Sequence, residues 1–410
     1  MLKKFLETIF SIKQEDNHKK ITVLGIKFKI SKPVAYDGKY DNLKIKNNKI
    51  VFRTSNGAFT CNPKAIAKEV LKRHPEWELV WIVNKNILKF INDFPKNIKL
   101  VMTGNPEEYR EYSDAHVWID NERRCKYVKK SFNKKEGQIY IQTFHGSLGI
   151  KKTGMDRSDI GKKDLILPRK DSKQIDYLIS NGSYTTDFFK RTFFNCGKIM
   201  EFGHPRNDIF FEDNSQLKEK IYKYYGISSD KKLVLYAPTL REDRDMKCYN
   251  LDYSILARAL EKRFGGEWVV MVRLHPLMIS YNDCLNLGQN VIDTTEYSDI
   301  QELLSVVDVV VTDYSSCIYD FMLTHKPGFI YASDVKKYNN GRGLYYKLDT
   351  TPFPVAENND KLFENILNFD NEKYIKEVDI FLKEKGCVDD GRASERVVDL
   401  LETIINDGEK

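Results

Sequence analysis

Short apolar runs, each closed by a polar or glycine-containing turn and followed by a segment of helical period, alternate along this 410-residue chain and then begin again. Residues 50–53, 79–83, 98–102, 116–119, 139–144, 177–180 and 199–202 read as one set of strands. Residues 233–237, 268–273, 291–293, 307–311 and 329–331 read as a second set. Alternating strands and helices fold into parallel sheets with helices on both faces. The pattern therefore predicts an α/β chain of two doubly wound Rossmann-type domains joined near residues 205–230. Such sheets bind ligands beyond the carboxyl ends of their strands, so the loops after the strands converge on an interdomain cleft.

The expected division is 1–48 for an N-terminal extension, 49–210 for the first domain and 211–410 for the second, the latter ending in charged helices from Asp360. Within the first domain Asn62 suits a helix N-cap and Pro63 the first helical position, with the helix running to about His74. In the extension, Leu2, Phe5, Leu6, Ile9 and Phe10 recur at helical spacing with Lys3, Lys4 and Glu7 opposite. A basic amphipathic helix over 1–13 lies either on an anionic membrane or against its own domain or a partner. Residues 19–32 alternate and read as a hairpin around Gly25.

A formal net charge of +7 favours anionic small molecules or an acidic membrane surface over nucleic acid. The seven cysteines are odd in number and lack metal-ligand spacing, which predicts free thiols in a reducing cytosol. No apolar run is long enough to span a bilayer, and the first residues lack the apolar core of a signal peptide. The block Arg123, Arg124, Lys126, Lys129, Lys130, Lys134 and Lys135 reads as a solvated loop or as a contact for an anionic polymer or lipid head groups.

Five strand-end segments carry the chemistry. Gln142-Thr143-Phe144-His145-Gly146-Ser147 puts an imidazole at a sheet rim, where it can take a proton from a hydroxyl. Gly146 lets a substrate approach the backbone, and Lys151 and Lys152 add positive charge. Gly203-His204-Pro205-Arg206-Asn207-Asp208 offers a guanidinium fork in a rigid turn, for phosphate or for a structural carboxylate. Pro238 and Thr239 sit just past a strand. Arg273 and His275 flank Leu274, so in extended chain both point to one side, which suits a diphosphate. Thr312-Asp313-Tyr314-Ser315-Ser316-Cys317-Ile318-Tyr319-Asp320 places two hydroxyls at a helix start over 317–323, an arrangement that holds phosphate or simply caps the helix. Asp320 there accepts from ribose hydroxyls or orients the serine turn. Glu242, Asp243 and Asp245 are the densest carboxylates near these segments and read as a solvated loop.

In their order along the chain, QTFHGS (142–147), KK (151–152), DYLIS (176–180), GHPRND (203–208), LYAPTLRED (235–243), RLHP (273–276), TDYSSCIYD (312–320), KPGFIYASD (326–334) and RGLYY (342–346) resemble the CDP-glycerol glycerophosphotransferase family of teichoic-acid and capsule-type polyol-phosphate transferases. The resemblance covers roughly residues 50–390. It implies a GT-B-like fold with the site in the cleft. It implies transfer of glycerol phosphate, or a related polyol phosphate, from CDP-glycerol or another CDP-polyol as donor substrate, with release of CMP; no metal-binding carboxylate cluster is visible in the sequence, so the transfer is expected to need no metal and no cofactor. By motif, His145 is the implied general base, with Arg206, Pro238, Thr239, Arg273, His275, Ser315, Ser316 and Asp320 as donor contacts. The implied partners are a lipid-linked or polymeric acceptor and an anionic membrane at the cytoplasmic face of the bacterial inner membrane, with a homo-oligomer also open. After the histidine the family commonly reads His-Gly-Thr-Pro-Leu-Lys-Lys. This chain has His145-Gly146-Ser147-Leu148-Gly149-Ile150-Lys151-Lys152, one residue longer and without proline. Two other readings share these features: a GT-B glycosyltransferase using a nucleotide sugar, and a non-catalytic subunit of an envelope assembly complex.

Overall fold

A computed structural model describes residues 36–241, 246–275, 278, 288, 290–340 and 343–407, together with the backbone of 10–15, 18–23 and 26–31. Three strands form a small antiparallel sheet: β1 (Phe10–Glu15), β2 (His18–Val23) and β3 (Ile26–Ser31). The expected hairpin is the β2–β3 pair, with Gly25 itself outside the described residues. The expected helix over 1–13 is corrected where it can be seen: residues 10–13 lie in β1, paired with 20–23, and residues 1–9 are outside the described residues. A partner strand of matching register supplies backbone hydrogen bonds that a short isolated helix cannot sustain in water.

The first large sheet contains β4 (Lys46–Arg53), β5 (Glu78–Val83), β6 (Lys99–Met102), β7 (Ala115–Asp120), β8 (Ile139–Gln142), β9 (Tyr177–Ser180) and β10 (Lys198–Glu201), in the spatial order β10-β9-β8-β7-β4-β5-β6. The second contains β11 (Lys232–Tyr236), β12 (Trp268–Val272), β13 (Val291–Asp293), β14 (Val309–Thr312), β15 (Gly328–Tyr331) and β16 (Val355–Ala356), ordered β13-β12-β11-β14-β15-β16. Neighbours in both sheets run parallel. Both are doubly wound, with the strand order reversing between β4 and β7 and between β11 and β14. The two domains face each other across a cleft in the GT-B-like manner.

Side-chain alternation divides the first sheet's core. Ile50 and Phe52 face one apolar cluster, and Val51 faces the other. The first of these clusters corrects the expected boundary. The last helix, Ala393–Asp407, buries Val397, Val398, Leu401 and Ile405 against the first sheet, not the second. Asp208 holds it there, accepting from the backbone N–H groups of Ala393 (3.0 Å) and Ser394 (2.7 Å) at the helix start.

The helix expected to be capped by Asn62 begins two residues earlier, at Cys61, and ends at Arg73, with Thr60 in the capping position. Asn62 is fully buried and serves tertiary structure instead. Its amide donates to the carbonyls of Thr143 (3.2 Å) and Phe144 (3.1 Å), and its oxygen accepts from Arg206 N–H (3.1 Å). The polar seam between the domains includes Lys64 with Asp299 (2.7 Å) and Glu302 (2.5 Å), and Gln301 with Asn207 (3.0 Å).

Candidate functional site

A cleft of about 770 Å³ opens between the two sheets. That is the size range of pockets for drug-sized and cofactor-sized ligands. His145, Gly146, Ser147 and Lys151 line it from the first domain's β8 loop. Pro238, Thr239, Arg273, Leu274, His275, Ser315 and Ser316 line it from the strand ends of the second domain.

His145 owes its position to an unusual neighbour. Strand β8 ends at Gln142, two residues earlier than expected, and Phe144 takes a left-handed backbone conformation (φ 52°). Such a conformation costs a non-glycine residue of order 1 kcal/mol or more and persists only where the surroundings impose it. Here the Phe144 N–H donates to Gln142 Oε1 (2.8 Å), its carbonyl accepts from Asn62, and its ring packs edge-on against Phe189 and Phe193. His145 is thereby turned into the cleft, with Nδ1 2.8 Å from the carbonyl of Asn121. A carbonyl only accepts, so Nδ1 carries the proton and Nε2 presents a lone pair.

The segment after His145 crosses between the domains. Leu148 and Ile150 are 1% exposed and belong to the apolar core of the second domain. Tyr345 N–H donates to the Ile150 carbonyl (2.7 Å), Lys152 N–H to the Gly343 carbonyl (3.2 Å), and Tyr346 Oη–H to the Leu148 carbonyl. Gly149 sits where a Cβ would come within 3.5 Å of Ser316 Cβ. The residues in which this chain departs from the family pattern are thus the ones that anchor the histidine loop on the opposite domain. Lys152 is not part of the cleft wall and lies along Gly343 instead.

On the second domain, Arg273 is almost wholly buried and donates through Nη1 to the carbonyls of Thr294 (2.8 Å) and Tyr297 (2.7 Å). His275 is exposed beside it. Partial desolvation by the cleft around it, and then the charges of Lys151 and Arg273, hold its imidazole below the usual pKa. Leu274 is a core residue whose N–H is bound by Thr295 Oγ1 (3.0 Å). The hydroxyls of Ser147 and Thr239 are buried in the cleft wall with no hydrogen-bond partner among the described residues. Unpaired buried hydroxyls are costly, and a ligand in the cleft would satisfy them. The helix after Ser315 and Ser316 is a single α-helical turn, Cys317–Phe321, continued by a 3-10 turn at Met322–Thr324. So short a helix adds little dipole, and the serine turn contributes through its hydroxyls and backbone N–H groups.

Arg206 and Asp320 are corrected. Neither lines the cleft, because each satisfies the other: Arg206 Nε donates to Asp320 Oδ2 (3.0 Å) and Nη2 to Oδ1 (3.2 Å), both side chains being buried. Asn207 and Gln301 also reach Asp320 (3.3 and 3.4 Å). The pair joins the interdomain turn to the helix behind the serines. In the basic block, Arg124 is also internal, enclosed by the rings of Tyr112, Trp118 and Tyr127 and paired with Asp120 (3.1 Å). Arg123 donates to Ser172 Oγ (2.8 Å) and stacks over Phe193. Glu242, Asp243, Asp245 and Pro276 lie outside the described residues.

Arg241, Asp313 and Asp334 were not among the residues expected at the site. Arg241 lines the cleft and is clamped by Asp334 (2.7 and 2.8 Å), Asp313 (2.8 Å) and the Thr239 carbonyl (2.6 Å). Asp313 in turn accepts from Thr239 N–H (2.8 Å), and Tyr314 Oη–H donates to Asp334 (2.9 Å). One guanidinium therefore fixes the loops after β11, β14 and β15 against each other. The clue in the sequence was position alone, since all three residues follow strand ends.

Comparison with known proteins places this arrangement. The chain is 31% identical over 400 residues to a teichoic acid poly(glycerol phosphate) polymerase of Staphylococcus epidermidis, covering 94% of this chain and 54% of that protein. It is 30% identical over 367 residues to a teichoic acid glycerol-phosphate transferase of Staphylococcus aureus, covering 85% of this chain and 92% of that protein. A solved structure of the wall teichoic acid polymerase TagF, a histidine-to-asparagine variant soaked with CDPG, superposes with a TM-score of 0.78 at 29% identity, covering 91% of this chain and 92% of that one. The chain spans about half the length of the first two curated relatives it matches, 54% and 49%. A family model described as CDP-Glycerol:Poly(glycerophosphate) glycerophosphotransferase matches residues 38–403, and the chain belongs to that family.

Proposed function

We propose that this protein transfers glycerol phosphate from CDP-glycerol to a hydroxyl of a lipid-linked or polymeric cell-envelope acceptor, releasing CMP. The observation that carries the reading is the meeting of His145, held through Nδ1, and the Lys151–Arg273–His275 cluster in one interdomain cleft. The acceptor hydroxyl attacks the donor's β-phosphorus. Its proton passes to His145 Nε2, the new O–P bond forms, and the bond from the β-phosphorus to the bridging oxygen breaks. CMP leaves with that electron pair. General-base help of this kind contributes about 10²–10⁴-fold. Arg273, Lys151 and the hydroxyls of Ser147, Thr239, Ser315 and Ser316 face the diphosphate and offset the charge that grows on CMP. The cleft's own cations supply this neutralisation, and we propose transfer without a cofactor.

The acceptor is met at the cytoplasmic face of the membrane, with the lysine-rich residues 1–48 on the lipid side. Among the described residues no helix is long and apolar enough to cross a membrane. The test of the transfer is incubation of the full chain with a panel of CDP-polyols and an acceptor. Consumption of CDP-glycerol with stoichiometric CMP supports it; release of a nucleoside diphosphate from a nucleotide sugar overturns it. Co-sedimentation with anionic vesicles tests the membrane contact, which a failure to sediment would remove.

A further inference from the structure

A second hollow, of about 250 Å³, lies over the carboxyl ends of β4, β5, β6 and β7 and shares no lining residue with the interdomain cleft. It sits where the strand order of the first sheet reverses, the place at which doubly wound sheets receive ligands. Its wall includes Arg53, Ser55, Thr103, Glu122 and Lys126.

The charge in this wall is unbalanced. Arg53, the last residue of β4, is 5% exposed and held from behind, Nε to Asp120 Oδ2 (3.4 Å) and Nη2 to the carbonyls of Glu122 (3.0 Å) and Arg123 (3.2 Å). Asp120 is shared with Arg124, so its charge is divided between two guanidinium groups. Lys126 Nζ donates to Thr103 Oγ1 (3.2 Å) and makes no ion pair among the described residues. Burial and the nearby Arg53 push its amine below the usual lysine range, the behaviour of two cations facing one space. Among the described residues the single carboxylate of the wall is Glu122. It is half exposed, 3.8 Å from Arg53 Nη1, and free to turn out into solvent.

The hollow is also wired to the histidine. Asn121 N–H donates to the Arg53 carbonyl (3.3 Å), Asn121 Oδ1 accepts from Ser55 N–H (2.9 Å), and the Asn121 carbonyl accepts from His145 Nδ1–H (2.8 Å). One residue therefore forms the partition between the hollow and the imidazole. We infer that this hollow is an anion site that seats a phosphate ester of the acceptor, bringing the hydroxyl next to that phosphate within reach of His145. The inference rests on the transfer proposed above and names where its acceptor is held. Arg53 and Lys126 bind the phosphate, and Glu122 competes with it for Arg53 when the site is empty.

The test is a calorimetric titration of the full chain, first saturated with CDP, using sn-glycerol 3-phosphate as probe. The ester is expected to bind alongside CDP. Lys126→Ala should weaken it at least fivefold and Glu122→Gln should tighten it at least twofold, both side chains being exposed enough to change without loss of fold. CDP affinity should stay within twofold in each, and in turnover Lys126→Ala should raise the KM for acceptor and leave that for donor. Inorganic phosphate is the second probe: weaker binding than the ester supports an acceptor seat, and equal binding overturns it. Competition between the ester and CDP, or indifference of its affinity to both substitutions, also overturns the site. Failure of CDP itself to bind is a separate result, and it counts against the transfer and not against the hollow.

Discussion

The two walls of the cleft are built on opposite plans. The second domain's wall is tied internally: Arg241 holds Asp313, Asp334 and the Thr239 carbonyl, and Tyr314 is stacked on Tyr338 at 3.8 Å between ring centres. Donors fixed in this way need no reorganisation when charge develops on a phosphate, which is the condition for strong electrostatic stabilisation. The first domain's wall is an exposed imidazole on a left-handed turn, followed by a loop whose apolar residues are buried in the other domain. The histidine belongs to one domain by strand and to the other by packing. Its placement relative to the second domain's wall is therefore set by the contact between the domains, and that wall is set without it.

His145→Ala gives the largest effect and separates the walls. Turnover, followed as CMP release, should fall by about 10²–10⁴-fold, while calorimetric affinity for CDP-glycerol stays unchanged; near-normal turnover would remove the imidazole from its role. Arg241→Gln strikes the other wall. It leaves the buried Asp313 and the partly buried Asp334 without their cation, so chemical denaturation should show a loss of about 3–5 kcal/mol, with CDP binding lost as well. A loss under about 1 kcal/mol would mean that the donor wall is not held by this ion cluster. Leu148→Ala tests the crossing loop. Its cost should be about 2–4 kcal/mol, read in the unfolding of the second domain although the residue follows a first-domain strand.

The proton balance of donor binding is a finer probe. His275 sits below its ordinary pKa because of partial desolvation, Lys151 and Arg273. A bound diphosphate offsets those two cations and raises the pKa, so binding near pH 6 should take up a fraction of a proton, and the uptake should vanish above about pH 8. Titrations in buffers of different ionisation enthalpy measure this, and zero uptake would place the imidazole away from the diphosphate. Smallest of all, Lys89→Ala removes an exposed ion pair with Glu296 across the domains and should cost no more than about 1 kcal/mol.

Much of this was legible in the chain. The strands of both sheets stand within a few residues of their apolar runs, save the two-residue β16, which no run announced. Burial on both faces leaves a continuous apolar signature, and that signal is local. Pairings between distant residues are not. Arg206 was read as a phosphate fork, and its partner is a carboxylate 114 positions away; a guanidinium at a strand end suits either. Arg241 and Asp334 are 93 positions apart, and neither has a neighbour that announces the other. Residues 10–13 fit a helical period, yet the paired strand 20–23 prevailed. The charged helices expected from Asp360 include Ala393–Asp407, and their composition gave no indication that this one would cover the first sheet.

That last helix has a consequence for how the molecule is made. Val397, Val398, Leu401 and Ile405 complete a core whose other members begin at Ile50. The ribosome therefore completes the first sheet at Glu201, well before it delivers the helix from Ala393 that shields one of its faces. The early half waits, partly uncovered, until synthesis is nearly over. A chain that stops short of Ala393 keeps every strand of the first sheet and loses the cover of one face, so a nonsense mutation even this late should unfold the first domain.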